Sequence, residues 1–380
     1  MRVTALALFP DGSTGVVGGD AEQCLMMWDL EYPGIQQNGT DRMTSVQAIV
    51  NEDWTYDELR SEAEEIRQRL NRFRTSLGRF FVQKQELIDL MVVAAVAQEP
   101  LLLVGPPGTA KSDLVLKFRD AIGVAEEDYF EYMLTRFSEP SEIIGPIDIN
   151  QLRDGRYVRR EEGKLPTARM AFLDEIFKSN SAILNILLTI INERKFYQDG
   201  KPESVALRVL FAATNEIPEQ GELGALKDRF VLKAISRPVQ ESYFTELIDA
   251  GLSSEVYKGL NQKPWKEGHA SFDDILKAGR YLTFQFAQQD STGEGIDRRQ
   301  FFPDAVFREF ERLVKTLVRE DRIFISDRKL VKLYKLLRVR SWLFSGGTVN
   351  HDDLRLLSYL GETHQEMDLL AEKIPNLLGF

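Results

Sequence analysis

One stretch of this chain decides its fold: Leu101-Leu102-Leu103-Val104-Gly105-Pro106-Pro107-Gly108-Thr109-Ala110-Lys111-Ser112. Its apolar start has the length and flanks of a buried parallel strand, and a helical pattern over residues 111–122 follows it. Strand, glycine-rich loop and helix, in this order, are the context that a phosphate-binding loop requires. Backbone N–H groups of the loop, together with the helix N-terminus, would form a site for phosphate anions.

Each residue of the loop has an expected part in binding ATP with Mg²⁺. Lys111 reaches the β- and γ-phosphates, and the Ser112 hydroxyl can ligate Mg²⁺. The backbone that surrounds the phosphates comes from Gly105, Pro106, Pro107, Gly108, Thr109 and Ala110. One departure from the motif is Ala110, which stands where glycine usually precedes the lysine. A methyl group is tolerable there if that backbone is already helical.

A pair of carboxylates ends the apolar run Met170-Ala171-Phe172-Leu173-Asp174-Glu175. A strand end beside a phosphate loop is where Mg²⁺ and an attacking water must be held. Asp174 suits the Mg²⁺ shell, directly or through water, and Glu175 suits a general base that polarises the water. The alternative is that the two acids merely cap the next helix, which Ser179-Asn180 could do instead.

A polar residue, Asn215, ends another apolar run, Val209-Leu210-Phe211-Ala212-Ala213-Thr214-Asn215. Its amide can hydrogen-bond a γ-phosphate or the water, although an asparagine that only forms a turn is the alternative.

Strand and helix patterns alternate along the middle of the chain, and this predicts a parallel sheet covered by helices. Strands are expected at 101–104, 171–173 and 205–213, and helices at 56–81, 85–97, 111–122 and 182–192. After Pro238 the chain reads as mainly helical, with clear helices at 304–319 and 327–344. Ser326 is a natural N-cap for the latter.

The first part of the chain has a different pattern. Short strand signals at residues 3–9, 16–20 and 25–29 end in Trp28-Asp29, much like one blade of a WD40 propeller. One blade cannot bury its own faces, and no second copy follows. A poorly ordered or locally docked extension is therefore the preferred interpretation, and a blade-like edge that docks on a partner is the alternative. We expect an N-terminal extension at 1–50, an α/β nucleotide-binding subdomain at 51–240, a helical lid at 241–362 and a C-terminal helical segment at 363–380.

Composition excludes several classes of protein. The net charge of −11 argues against broad binding of nucleic acid, which depends on cations. Cys24 is the single cysteine, so no internal disulfide framework exists. The longest apolar run, at 90–96, is far too short to span a bilayer, and no signal peptide is evident, so a cytoplasmic protein is expected. The three histidines are scattered without ligand spacing, which disfavours a metal site built from them.

One local feature favours nucleic acid. A basic run extends along the helix predicted at 327–344: Arg328, Lys329, Lys332, Lys335, Arg338 and Arg340. A solvated helix face is the preferred interpretation of this run.

The ordered motifs resemble the AAA+ family, specifically its MoxR branch and most closely the RavA-like members. Gly105–Ser112 resembles Walker A, 172–175 Walker B, and Thr214-Asn215-Glu216 sensor 1. Leu226-Lys227-Asp228-Arg229-Phe230 is similar to an arginine-finger segment, and Ile325-Ser326-Asp327-Arg328-Lys329 to the start of a sensor 2 helix. Residues 144–166 resemble the hairpin that is inserted in helix 2 of this clade. Residues 193–205 resemble the hairpin that precedes sensor 1.

The resemblance implies an α/β AAA+ fold with a helical lid and an ATP-hydrolysing ring, usually a hexamer. Arg229 would act on the neighbour's ATP, and Arg328 would contact the γ-phosphate in cis. It also implies chaperone-like work on a protein partner, commonly one with a von Willebrand factor A domain. The alternatives are a DNA-acting motor or transcription activator of the same clade, and a slow nucleotide-dependent switch in a defence or signalling complex. No activator-type Gly-Ala-Phe-Thr-Gly-Ala loop occurs between 137 and 169.

Overall fold

The computed structural model describes residues 3–8, 14–19, 54–198, 200–218, 223–287 and 299–379. Near the N-terminus, strands β1 (Val3–Leu8) and β2 (Thr14–Gly19) pair in antiparallel register. The third predicted strand at 25–29, with Trp28-Asp29, lies outside the described residues. The blade-like interpretation of this region stays a prediction.

The rest of the described chain is an α/β unit followed by helices. The further strands are β3 Leu101–Val104, β4 Tyr129–Met133, β5 Met170–Asp174, β6 Lys195–Gln198, β7 Lys201–Ser204, β8 Val209–Thr214 and β9 Leu232–Ile235. The helices are α1 Tyr56–Gly78, α2 Gln85–Ala97, α3 Lys111–Ala121, α4 Pro140–Ile144, α5 Ile149–Arg153, α6 Ser181–Glu193, α7 Gly224–Arg229, α8 Phe244–Gly259, α9 Phe272–Phe286, α10 Asp304–Arg319, α11 Asp327–Phe344 and α12 His364–Leu378.

The central sheet has five parallel strands in the order β4-β5-β8-β3-β9. Parallel strands all end at the same side, so Gly105, Glu175 and Asn215 emerge together at what we call the carboxyl edge. Residues that precede the strands lie at the opposite, amino edge. The predicted parallel sheet covered by helices is confirmed.

Strand β3 shows why its sequence is apolar throughout. Leu101 and Leu103 face one hydrophobic core, while Leu102 and Val104 face the other, and all four are fully buried. A strand buried on both faces needs a continuous apolar run rather than an alternating one. The core on the first side extends from α1 and α2 into the later helices α9, α10 and α11.

The later helices are tied to the α/β unit by specific contacts. Ser271 caps α9 in a capping box with Asp274, and Arg69 of α1 reaches both oxygens of the same carboxylate at 2.5 and 3.1 Å. Ser326 caps α11, as predicted. The predicted domain limits stay a proposal, because these contacts join the helical part to α1 rather than marking a border.

One strand prediction needs correction, and one strand was not predicted. The strand predicted at 205–213 begins only at Val209, because Val205 and Ala206 instead donate backbone hydrogen bonds to Arg194 and Pro166. Strand β4 was not predicted, since this edge strand, Tyr-Phe-Glu-Tyr-Met, is only partly buried and carries a weak apolar signal.

The inserted hairpin at 144–166 is less regular than expected. Its arms meet at a single antiparallel bridge between Ile147 and Arg159, and helix α5 occupies the first arm before the turn at Gly155. The Arg159 N–H donates to Gln198 Oε1 at 3.0 Å. The insertion is therefore in contact with the β6–β7 hairpin, which matches the second predicted hairpin.

The basic run of α11 is not a solvated face. Lys329 and Arg338 are fully buried, and Lys332 and Lys335 contact Glu99 at 2.7 and 3.3 Å. Arg340 pairs with Asp352 and Asp353. Most of these charges are neutralised inside the protein, so the basic run no longer supports nucleic-acid binding.

Candidate active site

The phosphate loop is fixed between two strands of the sheet. The Gly105 N–H donates to the Thr214 carbonyl at 3.1 Å. A Cβ atom on Gly105 would lie 2.5 Å from the Ser236 carbonyl oxygen, so no side chain fits there. The Ser236 hydroxyl in turn donates to the Thr109 carbonyl at 2.7 Å. The loop conformation thus depends on the ends of both β8 and β9.

Ala110 takes a left-handed conformation, with φ 65° and ψ 19°. The condition under which its methyl group would be tolerated, a backbone that is already helical, is not met, because helix α3 begins one residue later. A residue with a Cβ in this region costs roughly 1 kcal/mol relative to glycine. The glycine that the motif usually has would adopt this conformation without strain.

Lys111 is held inside its own loop. Its ammonium group donates to the carbonyls of Gly105 and Pro106 at 2.6 and 3.1 Å, and to Asn215 Oδ1 at 3.0 Å. Burial lowers the pKa of Lys111, while the charges of Asp174 and Glu175 act in the opposite direction. The amine therefore lies in the loop beside the ends of β5 and β8.

The residues expected to hold Mg²⁺ come together. Ser112 Oγ lies 3.5 Å from Asp174 Oδ2, at the outer limit of a hydrogen bond. The other Asp174 oxygen accepts the Glu175 N–H at 2.9 Å, which fixes the carboxylate's orientation. Hydroxyl and carboxylate oxygens beside a phosphate loop suit Mg²⁺, which keeps waters and phosphate oxygens as its other ligands. The donor set therefore fits the ion.

Glu175, which is buried, forms a pair with the half-buried Asn215. The Asn215 side-chain amide donates to Glu175 Oε1, and Lys178 approaches the same oxygen at 3.2 Å. Glu175 is 3% exposed and has a left-handed φ of 52°. Asn215 therefore accepts a hydrogen bond from Lys111 and donates one to Glu175, and in this way it links the two residues. The sequence predicted these residues separately, and the structure joins them in one hydrogen-bonded chain.

Sequence reasoning did not find Lys84. This buried lysine precedes α2 and donates to the Ser236 hydroxyl at 3.2 Å and to the Arg237 carbonyl. Burial and the nearby charge of Lys111 lower its pKa. No sequence signal connects it to the site, because 152 residues separate it from Ser236.

Arg229 ends helix α7, just before β9, and therefore lies at the amino edge. Strands β3 and β9 pair from Leu101↔Leu232 to Val104↔Ile235. At about 3.3 Å per residue, the length of the strand separates Arg229 from the loop that follows Val104. Arg229 contacts Asp228 at 3.2 Å, and burial together with the charge of Arg328 lowers its pKa.

The cis contact predicted for Arg328 stays a prediction, and the structure places this residue near Arg229 rather than with Lys111. Ser326, two residues earlier, donates to Asp228 Oδ1 at 2.9 Å, which brings the start of α11 to the amino edge. Arg328 is accordingly close enough to Arg229 to perturb its pKa. The two arginines lie together, at the edge of the sheet opposite Lys111 of the same chain.

A buried charge cluster supports this amino edge. Lys233 of β9 and Lys329 of α11 both contact Glu362 Oε1, the former at 3.1 Å, and both lysines are fully buried. Lys233 also donates to the Phe230 carbonyl at 2.7 Å. The segment that carries Arg229 is thereby joined to the lid helix α11 and to the residues before α12.

Family models match most of the described α/β unit and the later helices. The model described as a MoxR domain in the MoxR-vWA-beta-propeller ternary systems matches residues 68–276, and an AAA lid domain matches residues 308–372. Two uncharacterized proteins of Methanocaldococcus jannaschii are each 33% identical to this chain. The matches span 297 and 294 residues, which are 78% and 77% of this chain and 70% of each relative.

The chain is also similar to a solved structure, a putative ATPase from Cytophaga hutchinsonii. The TM-score is 0.62 at 15% identity, over 85% of this chain and 97% of the other. At this identity the likeness supports the fold alone. In the part of the chain that the structure describes, no helix is both long and apolar enough to cross a membrane.

Proposed function

The chain belongs to the MoxR family of AAA+ ATPases, and on that premise we propose that it hydrolyses ATP at sites completed by a neighbouring copy and remodels a protein partner. The observation that carries the proposal is the chain of hydrogen bonds from Lys111 through Asn215 to Glu175, beside Ser112 and Asp174. The residues that we propose for phosphate binding, for Mg²⁺ and for the general base therefore lie together at one edge of the sheet.

The site's own residues have distinct tasks in this proposal. The loop backbone and Lys111 bind the phosphates, and Ser112 with Asp174 holds Mg²⁺, which would neutralise charge that develops on the phosphate oxygens. Glu175 accepts the proton of the attacking water, and Asn215 orients that carboxylate. Lys111 must exchange its bonds to the Gly105 and Pro106 carbonyls for phosphate oxygens.

The proposal needs a second copy because of the arginines. Arg229 and Arg328 lie at the amino edge, one strand length away from the phosphate loop of their own chain. A planar cation at the γ-phosphate stabilises transition-state charge. We therefore assign both arginines to the ATP of a neighbouring subunit in a ring, for which a hexamer is the family-based expectation.

The partner is proposed from the family description, which names von Willebrand factor A and β-propeller components. A partner with a von Willebrand factor A domain is therefore our first choice. The RavA-like branch and the chaperone-like role also stay proposals. The inserted hairpin at 144–166 presents exposed apolar side chains, including Ile149 and Leu152, that could transmit motion to such a partner.

A slow nucleotide-dependent switch is the second candidate. The observation that favours it is the bond from Asn215 to the buried Glu175, which occupies an oxygen that the attacking water would need. In that case hydrolysis stays slow until a partner releases the carboxylate. Steady-state turnover with and without a von Willebrand-type partner separates the two candidates, since only the switch predicts strong activation.

The first test replaces Glu175 by glutamine and Lys111 by alanine. Glu175→Gln keeps the shape and the Asn215 contact but removes the base, so ATP binding should persist while turnover falls about 10²–10⁴-fold. Lys111→Ala should weaken ATP binding itself. Exposed Glu126→Gln is the matched control. Native turnover in the Glu175→Gln variant would refute the assignment of the base.

A further inference from the structure

Helix α8 is exposed on nearly its whole surface. None of its residues is buried, although it carries apolar residues at helical spacing. The exposed apolar residues of α8 and the position after it are Phe244 (65%), Leu247 (42%), Ile248 (46%), Leu252 (62%), Val256 (55%) and Leu260 (63%). A stripe of this kind on a soluble protein marks a contact surface.

The helix is oriented opposite to an ordinary amphipathic helix. The residues that are partly buried against the protein are the smaller or polar Ala250, Ser254 and Tyr257. Tyr257 meets the ring of Phe80 at 6.5 Å between centroids. An ordinary surface helix turns its apolar stripe toward the core, whereas α8 turns its stripe outward. An apolar stripe that faces outward in this way is typical of a surface that another molecule covers.

A second exposed apolar surface lies at the corner where α10 ends and α11 begins. It consists of Val318 (44%), Phe324 (68%), Leu330 (36%) and Val331 (46%). Arg319, Arg322 and Arg328 are exposed among them. We call these residues together the arginine corner. Because Ser326 contacts Asp228, the corner is adjacent to the amino-edge arginines.

The two surfaces belong to opposite edges of the sheet. Helix α8 follows the carboxyl end of β9, where Gln240 exchanges hydrogen bonds with Gln83 at 2.9 and 3.2 Å. Lys84 next to Gln83 contacts Ser236, which holds the phosphate loop. Helix α8 thus begins shortly after the segment that holds the phosphate loop, and the arginine corner is adjacent to Arg229. Two chains arranged head-to-tail can bring the two surfaces together.

The charges of the two surfaces are complementary. Around α8 the acidic residues Glu241, Glu246, Asp249 and Glu255 outnumber Lys258. None of these carboxylates forms an ion pair within the described residues. At the corner, Arg319 and Arg322 likewise form no ion pair among the described residues, while Glu320 and Asp321 are both paired with Lys373. The available charge is therefore negative on α8, whereas at the corner Arg319 and Arg322 outnumber the exposed Asp327.

We propose that the apolar stripe of α8 docks on the arginine corner of a second copy of this chain. The contact is head-to-tail, since different surfaces meet, and repetition of it closes a ring or extends a filament. It rests on the proposed function, and it specifies which surfaces bring one chain's arginines to the next chain's phosphate loop. Complementary charge also sets the orientation of the contact.

The test measures assembly in the presence of a non-hydrolysable ATP analogue by sedimentation. Leu252→Asp should raise the protomer concentration at half-assembly about 30-fold or more, the loss typical of an interface hot spot. Because Leu252 is exposed, the variant protomer should fold normally. Leu152→Asp, an equally drastic change of an exposed leucine on α5, should assemble like the native chain.

A charge exchange makes the test specific. The pair Asp249→Arg/Glu255→Arg and the pair Arg319→Glu/Arg322→Glu should each weaken assembly, and their combination in one chain should restore it to within about threefold. Native assembly of Leu252→Asp, or a native chain that stays at its protomer mass of 43.5 kDa, overturns the inference. The proposed function is judged separately: unchanged turnover of Lys111→Ala would refute it and leave the assembly result standing.

Discussion

The two edges of the central sheet differ in how their functional side chains are satisfied. At the carboxyl edge, Lys111, Asn215 and Glu175 hydrogen-bond one another. At the amino edge, the Arg229 Nε atom is buried and has no hydrogen-bond partner in the described structure. Burial and the nearby charge of Arg328 also lower the pKa of that guanidinium, while Asp228 acts in the opposite direction.

This difference indicates where each edge obtains its ligand. A phosphate that enters the carboxyl edge must displace internal bonds, so binding there reorganises the site. An anion that reaches Arg229 satisfies its buried Nε–H, which has no hydrogen-bond partner in the described structure, and leaving a buried polar group unsatisfied costs about 1–3 kcal/mol. The amino edge is thus prepared for an anion from outside the chain. The following changes test this comparison in decreasing order of expected effect.

The largest effect is expected from Arg229→Ala. Loss of a planar cation at the γ-phosphate should reduce turnover by about 10³–10⁵-fold. ATP binding should change much less than turnover, because Lys111 and the loop backbone still bind the phosphates. The measurement is steady-state turnover alongside nucleotide titration. Arg153→Ala, on the exposed end of α5, is a control that should retain native turnover.

Mixing two inactive variants decides whether the arginine acts across the interface. Arg229→Ala chains keep Glu175, and Glu175→Gln chains keep Arg229. If the edges of neighbouring chains meet, mixed rings contain sites with both groups, and some turnover returns. Mixtures as inactive as their components would contradict the assignment of the two edges to one shared site.

The second effect concerns the charge cluster that supports Arg229. Glu362→Gln would leave the buried Lys233 and Lys329 without their shared carboxylate, and removal of one partner of a buried ion pair costs about 3 kcal/mol or more. The free energy of unfolding, measured in urea at pH 7, should fall by that amount. Glu311→Gln, which breaks an exposed pair with Lys315, should change it by less than about 1 kcal/mol.

The same cluster predicts a pH dependence. Burial lowers the pKa of Lys233 from 10.5 to about 8, so the folded chain loses this proton earlier than the unfolded chain does. Between pH 8 and 10.5 the unfolded state binds more protons, and this group's contribution to stability therefore rises with pH. Lys233→Met should remove that part of the slope. An unchanged slope would show that Lys233 keeps its proton in the folded state.

The two edges also differ in how far the sequence predicts them. Lys111, Asp174, Glu175 and Asn215 could be predicted to meet, because each lies at or just after the end of a strand in one parallel sheet. The contacts between residues at the amino edge could not be predicted in this way. Ser326 lies 98 residues from Asp228, and Lys233 lies 129 residues from Glu362. Only tertiary packing of the lid decides such contacts.

For the same reason the basic run of α11 was misinterpreted. Its spacing is that of a solvated helix, and nothing local indicates that Glu99, 236 residues from Lys335, neutralises it. The position of Arg328 could not be predicted either, because its motif specifies a helix start but not which edge of the sheet that start approaches.

The smallest effect tests the carboxyl edge through its backbone. Ala110→Gly removes a Cβ from a left-handed residue, but it also increases the freedom of the unfolded chain, so stability should rise by about 1 kcal/mol or less. Ala110→Val should lower stability, since a β-branched residue is strained at this φ. Thermal unfolding measures both changes. Because backbone N–H groups of the loop bind the phosphates, Ala110→Gly should leave ATP affinity within about threefold of native, whereas a large loss would mean that the strained alanine itself shapes the site.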